Sequence, residues 1–443
     1  MEEFEISGIG SELQGVGRLS DGRAVFVPRA LLGETVRARI TKSAQRFCEA
    51  ELIEVLTPSP ARREPDCPAF GRCGGCQARH MRYEETLLYK RQRVYDALER
   101  IGKVEHPNVL ETMGCPDPNR TRNKAEFPIG RDASGRIAIG TYAAGSRLII
   151  PIQDCLLQKE PSCRVLQWFG KNLPRLHCAA QLTCAVTRVS RSGALMLIVC
   201  GTAPVQTEIF AQLPRLQKAL PELKSLYFLL QKRRPAHALD GDCIHLWGDW
   251  TLEEELLGLQ FSISPQSFFQ VNSEQAEVLY REALKAAGLG QDGSKRVLDA
   301  YCGTGTITLA AARLAAQATG VEIVRPAIAD ANRNAARNGL ADRTRFICDD
   351  AARAIPRLIG AGEHFDAAIL DPPRKGADEK LLNALIQADI PRIAYVSCDP
   401  ATLARDVKLL SAGGYRLEWA QPVDMFPWTG HVETVVLMSR NKD

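Results

Sequence analysis

From Asn272 onward, short apolar strand-like runs alternate with helical patterns, and this alternation constrains the fold more than anything else in the chain. Strands joined through helices pair side by side as a mostly parallel sheet with helices on its faces. An α/β, Rossmann-like domain is therefore expected over residues 256–443. Asn272 is suited to cap the first helix, with Gln275 three residues later to answer it.

One crossover in this region carries chemistry. The buried-strand signal Lys295–Ala300 runs into Tyr301-Cys302-Gly303-Thr304-Gly305-Thr306, and a helical pattern follows from Ile307 to Ala315. Glycines at such a turn let backbone approach a ligand closely. Glu322 ends the next apolar strand, about 20 residues on, where a carboxylate can bond both ribose hydroxyls. Thr308 stands where the dinucleotide pattern has its third glycine, which disfavours NAD and favours a nucleoside cofactor without a pyrophosphate. S-adenosylmethionine fits, and a purely structural turn is the bland alternative.

Two later strands end in polar residues. Phe365–Leu370 runs into Asp371-Pro372-Pro373-Arg374, and Ile393–Ser397 runs into Cys398-Asp399-Pro400. Ligands of open α/β sheets sit at the carboxyl ends of the strands, so Asp371 and Cys398 should face the glycine loop's crevice. Cys398 has no neighbouring cysteine and reads as a nucleophile, which requires activation because a free thiol titrates near 8.5. Glu433, just before the apolar run Thr434–Met438, is a candidate general base or a solvated edge charge.

Upstream, residues 1–57 read as five short strands in an OB-like β-barrel, and 58–255 as a cysteine-rich, Pro- and Gly-punctuated central α+β domain. A basic helical pattern over 83–101 is expected to pack on the catalytic domain. With 443 residues, three domains are reasonable, and no apolar run is long enough to cross a bilayer. The acidic start lacks the features of a signal peptide, so a cytoplasmic protein without a membrane association is expected. The net charge of +4 does not by itself identify a nucleic-acid binder. Fourteen cysteines in a reducing compartment call for metal ligands or nucleophiles among them. Cys48, Cys178, Cys184, Cys200 and Cys243 lie in apolar stretches and read as core residues.

Taken together, Gly303-x-Gly305, Asp371-Pro-Pro-Arg374, Ser397-Cys398-Asp399-Pro400 and His431-Val432-Glu433-Thr434 resemble the S-adenosylmethionine-dependent RNA uracil-5-methyltransferases. Ser267-Phe268-Phe269-Gln270-Val271-Asn272 is similar to that family's glutamine motif, and Gln14-Gly15-Val16-Gly17-Arg18 to its TRAM domain. The resemblance spans nearly the whole chain and is thinnest over 160–250. It implies Cys398 as nucleophile, Glu433 as the base for the C5 proton, and Gln270, Tyr301, Glu322, Asp371 and Asp350 in the cofactor site. Thr306 stands where relatives often carry Asn and is left out of that set.

Cys67-x5-Cys73-Gly74-Gly75-Cys76 offers three thiolates that can wrap an inorganic core. Cys155 is chosen as a distant fourth, and the resemblance supports a 4Fe–4S cluster in that arrangement. A zinc site remains open because His80 follows closely and zinc accepts imidazole; unligated thiols are the third reading. Arg122 and Lys124 are candidate phosphate ligands. The resemblance implies methylation of a uridine in RNA, 23S ribosomal RNA before tRNA, with no obligate protein partner evident. A non-catalytic or redox-sensing iron–sulfur RNA-binding protein is the alternative from another class.

Overall fold

The computed structural model describes residues 1–232, 237–290 and 293–440. The C-terminal sheet has seven strands in the order Thr344–Cys348, Gln317–Glu322, Arg296–Asp299, Ala367–Leu370, Arg392–Ser397, Glu433–Arg440, Tyr415–Val423. The first five are parallel and the last two antiparallel to their neighbours. Helices cover both faces, so the inner strands are apolar throughout: Val297, Leu298, Ile369 and Ala394 are almost completely buried. Strand order reverses direction at Arg296–Asp299, which opens a crevice at its carboxyl end.

Helix starts follow from side-chain caps. Asn272 Oδ1 accepts from Gln275 N at 3.2 Å, ahead of helix Ser273–Ala286. The expected reciprocal bond does not form: Gln275 Nε2 donates instead to Gly114 O at 2.8 Å, tying this helix to the central region. Asp399 Oδ1 accepts from Ala401 N and Thr402 N at 2.9 and 3.0 Å, and Pro400 occupies the first helical position of Pro400–Ala412. The Cys398-Asp399-Pro400 run therefore fixes the point at which the strand stops and the helix begins.

Five strands, Glu2–Ile9, Gly15–Arg18, Ala24–Val27, Thr35–Ser43 and Phe47–Thr57, close into a barrel around Ile6, Val25, Val27, Val36 and Ala38. The central region holds a second seven-stranded sheet between Lys124 and Gly248, whose strand Leu195–Gly201 is buried along its entire length. Helix Glu160–Asn172 covers one of its faces with Val165, Leu166 and Phe169. Helix Tyr83–Arg100 leaves this region and sets Val94 and Leu98 into one core with Val407, Leu410 and Ala420 of the C-terminal sheet layer. Among the described residues, no helix is long and apolar enough to cross a membrane.

Candidate active site and cysteine loop

The glycine loop takes left-handed backbone at Gly303 (φ 53°) and Gly305 (φ 87°). A Cβ on Gly305 would stand 3.1 Å from both Ala331 Cβ and the Phe346 ring, so a larger residue would have to push both back by a few tenths of an ångström while holding a left-handed backbone. Asn334 Nδ2 holds Thr304 O at 3.1 Å. Thr308 Oγ1 donates to Asp299 Oδ2 at 2.7 Å, which explains a threonine at the third-glycine position. Glu322 spans the loop: Oε2 accepts from Gly303 N at 3.3 Å and Oε1 from Val324 N at 2.8 Å.

A cavity of about 810 Å³ opens against this loop. Gln270, Tyr301, Glu322, Asp350 and Asp371 all line it, so the five residues expected around a cofactor are brought together. Asp350 also caps helix Ala351–Gly360 through Ala352 N at 2.8 Å. Thr306, left out of the expected set, lines the cavity too, beside Gln270 and the buried Tyr280. Tyr280 was invisible as a site residue because it sits in an ordinary amphipathic helix pattern. Only the packing of that helix under the cavity reveals it.

Cys398 and Glu433 meet through strand pairing. Ser397 and Thr434 are partners at the end of the ladder between Arg392–Ser397 and the antiparallel Glu433–Arg440. The next residue outward on each strand is Cys398 on one and Glu433 on the other. A parallel neighbour would have placed the start of the last strand at the far edge of the sheet. Glu433 begins the strand itself, slightly earlier than its apolar run suggested, and is 6% exposed.

The electrostatics of this edge are dominated by burial. Burial raises Glu433 to about 8, with the Asp371 carboxylate adding to the rise and the Arg374 guanidinium opposing it. Burial and Asp299 raise Asp371 to about 7. Burial raises Asp299 to about 6 against its hydrogen bond from Thr308. The Cys398 thiol is pushed up to about 11 by burial and by Glu433, with Arg374 again acting in the opposite direction. This edge favours neutral acids when empty, and a cationic ligand in the cavity would favour their ionised forms. The sulfonium and ammonium groups of S-adenosylmethionine are such cations.

The cysteine loop packs against the central sheet, with Gly74 N donating to Tyr142 O at 3.0 Å. Cys73, Cys76 and Cys155 all act on the Arg122 guanidinium, whose Nε is buried without a partner. Arg122 therefore points inward and is not a phosphate ligand on the surface, and Lys124 pairs with Glu126 at 2.7 Å. Cys67 starts the same loop, its carbonyl accepting from Phe70 N at 3.0 Å. Among the described residues, no group of three or more His, Cys, Asp or Glu side chains is drawn together to hold a single metal ion. His80 packs against Phe70 with its ring tilted by 30° and 5.3 Å between ring centroids. Burial and Arg62 lower it to about 4, and no thiol is among the charged groups acting on it. Both of its ring nitrogens are buried without a hydrogen-bond partner.

Residues 253–441 match the tRNA (uracil-5-)-methyltransferase family, and residues 3–53 match the TRAM domain. An RNA methyltransferase of Halalkalibacterium halodurans is 39% identical over 98% of this chain and 96% of its own. One from Clostridium tetani is 38% identical over 98% and 95%. The crystal structure of Pyrococcus abyssi tRNA (uracil-54, C5)-methyltransferase in complex with S-adenosyl-L-homocysteine superposes with a TM-score of 0.74 at 25% identity, covering 98% of this chain and 99% of that one. With relatives this similar along almost its full length, the chain belongs to the S-adenosylmethionine-dependent RNA uracil-5-methyltransferases.

Proposed function

We propose that this enzyme methylates C5 of a specific uridine in RNA, most directly in 23S ribosomal RNA, through a covalent bond between Cys398 and C6. The observation that carries this reading is the pairing of Ser397 with Thr434, which leaves Cys398 and Glu433 side by side at the strand ends, where Asp371 of the cavity wall acts on both. Uracil C5 is a weak nucleophile. Thiolate addition at C6 turns it into an enolate carbon that can attack a methyl group, splitting one difficult step into easier ones. When bound, S-adenosylmethionine supplies that methyl group on its sulfonium. Hydrogen bonds from Gln270, which lines the cavity, or from a neighbour would stabilise the charge that develops on O4. Glu433 then takes the C5 proton, the electrons form the C5–C6 double bond, and the Cys398 thiolate leaves. The target nucleotide has to be unpaired or flipped out to enter.

Incubation with S-adenosylmethionine and RNA containing 5-fluorouridine tests the reaction. Fluorine at C5 cannot be removed as a proton, so a denaturant-stable adduct is expected on Cys398 and none on Cys398→Ala. Absence of an adduct with every RNA that accepts methyl groups would overturn it. A tRNA uridine is the second reading, favoured by the likeness to the Pyrococcus abyssi enzyme. Methyl transfer to 23S ribosomal RNA but not to tRNA transcripts, or the reverse, decides between them.

Cys67, Cys73, Cys76 and Cys155 are the proposed ligands of a 4Fe–4S cluster. The buried, unpartnered Arg122 Nε beside three thiols suits an anionic thiolate-held group. A four-iron core binds each sulfur to a different iron, so its ligands stand farther apart than those of a single ion. Iron, sulfide and visible absorbance in anaerobically purified protein support the cluster; a colourless protein containing zinc alone would refute it.

A further inference from the structure

The loop Asp424–Gly430 delivers the chain into His431, Val432 and Glu433, and it is held from outside the catalytic sheet. Trp428 is 2% exposed and adopts φ 64°, a left-handed backbone that a tryptophan holds only when its surroundings fix it. Its carbonyl accepts from Gln77 N at 2.9 Å and Ala78 N at 3.1 Å. Gln77 returns with its side chain, Oε1 accepting from Gly430 N at 3.0 Å. The Arg79 guanidinium lies 5.0 Å over the Trp428 ring and also bonds Asp66 and interacts with Cys76. Gln77 directly follows the last cysteine of the loop, so one residue joins Cys76 to the backbone three positions before Glu433.

We infer that Gln77 is a positioning residue for Glu433: its two bonds set where the final strand begins and therefore where the base carboxylate meets the C5 proton. The inference rests on the proposed reaction and concerns only its last step. Thiolate addition and methyl transfer do not use Glu433. A displaced carboxylate leaves the Cys398–C6 bond intact, with C5 carrying both methyl and hydrogen, until the proton is removed and the thiolate is expelled.

The test compares Gln77→Ala with wild type on ordinary uridine RNA and S-adenosylmethionine. The variant is expected to accumulate a methylated, denaturant-stable RNA adduct, with kcat lowered by about 10²-fold and KM for RNA nearly unchanged. Gln77→Glu keeps an oxygen acceptor for Gly430 N and should restore turnover. Iron and zinc content should equal wild type in both. Should Gln77→Ala not fold, Gln77→Met keeps the length without the acceptor and is expected to accumulate the same adduct. Wild-type turnover by the folded variant, or equal loss of adduct formation and turnover, would overturn the positioning role. Failure of wild type to trap 5-fluorouridine RNA would instead overturn the reaction itself, so the two outcomes stay distinct.

Discussion

Lys90 and Asp424 form an ion pair in which neither side chain is exposed, joining helix Tyr83–Arg100 to the loop that leads to Glu433. The pair is not isolated: Tyr83 Oη donates to the second Asp424 oxygen at 2.7 Å and Lys90 Nζ also bonds Phe426 O at 3.1 Å. Burial depresses Lys90 below its ordinary range while Asp424 holds it up. Removing one partner leaves an uncompensated buried charge, so Lys90→Met should destabilise the fold by about 3–5 kcal/mol in denaturant unfolding. Lys90→Met combined with Asp424→Leu should recover much of that loss, because no charge then stays buried.

Glu433→Gln should separate the two halves of the proposed reaction. Loss of a general base lowers turnover by roughly 10²–10⁴-fold. The thiol remains, so a methylated RNA adduct should accumulate on Cys398 and be visible on denaturing gels. Cys398→Ala removes both adduct and turnover. Adduct-free inactivity of Glu433→Gln would place the carboxylate earlier in the sequence of steps.

The buried carboxyls predict opposite pH trends for stability and catalysis. Asp299, Asp371 and Glu433 are raised from 3.8, 3.8 and 4.5 to about 6, 7 and 8. Between the unfolded and folded values the native state holds protons that the unfolded chain has lost, so stability falls as pH rises from about 4 to about 8. Asp371→Asn should flatten this fall and stabilise the cofactor-free protein on the order of 2–4 kcal/mol at pH 8, measured by thermal or denaturant unfolding. Proton abstraction by Glu433 needs its ionised form and should instead rise with pH toward about 8. In Asp371→Asn that rising limb should move to lower pH, since a like charge has gone.

The strand ends that carry Asp371 and Cys398 were legible because buried strands and prolines mark their own limits, and Glu322 followed from loop spacing. The meeting of Cys398 with Glu433 was implied only by the family resemblance, since a local pattern does not tell a parallel last strand from an antiparallel one. Gln275 shows the same limit: its spacing from Asn272 fits a capping box, yet Gly114 O, distant in sequence, takes its side chain. Arg122 reads as a basic surface residue until the fold turns it toward Cys73, Cys76 and Cys155. Tyr280, Thr306 and Gln77 act through contacts between segments far apart in the chain, and no period or spacing encodes those.

Glu322 and Asp350 line the same cavity but should respond differently to substitution. Glu322 receives Gly303 N and Val324 N, so its carboxylate shapes the loop and faces the place where ribose hydroxyls are expected. Hydrogen bonds to a charged group contribute about 1.5–3 kcal/mol, so Glu322→Ala should weaken S-adenosylhomocysteine binding by roughly 10–100-fold in calorimetry. Asp350 is committed through Oδ1 to Ala352 N, a cap that asparagine also makes. Asp350→Asn should therefore keep its helix and change affinity by only a few-fold. An equal loss in both variants would mean that Asp350 bonds the cofactor as strongly as Glu322 does, through the carboxylate oxygen that the cap leaves free.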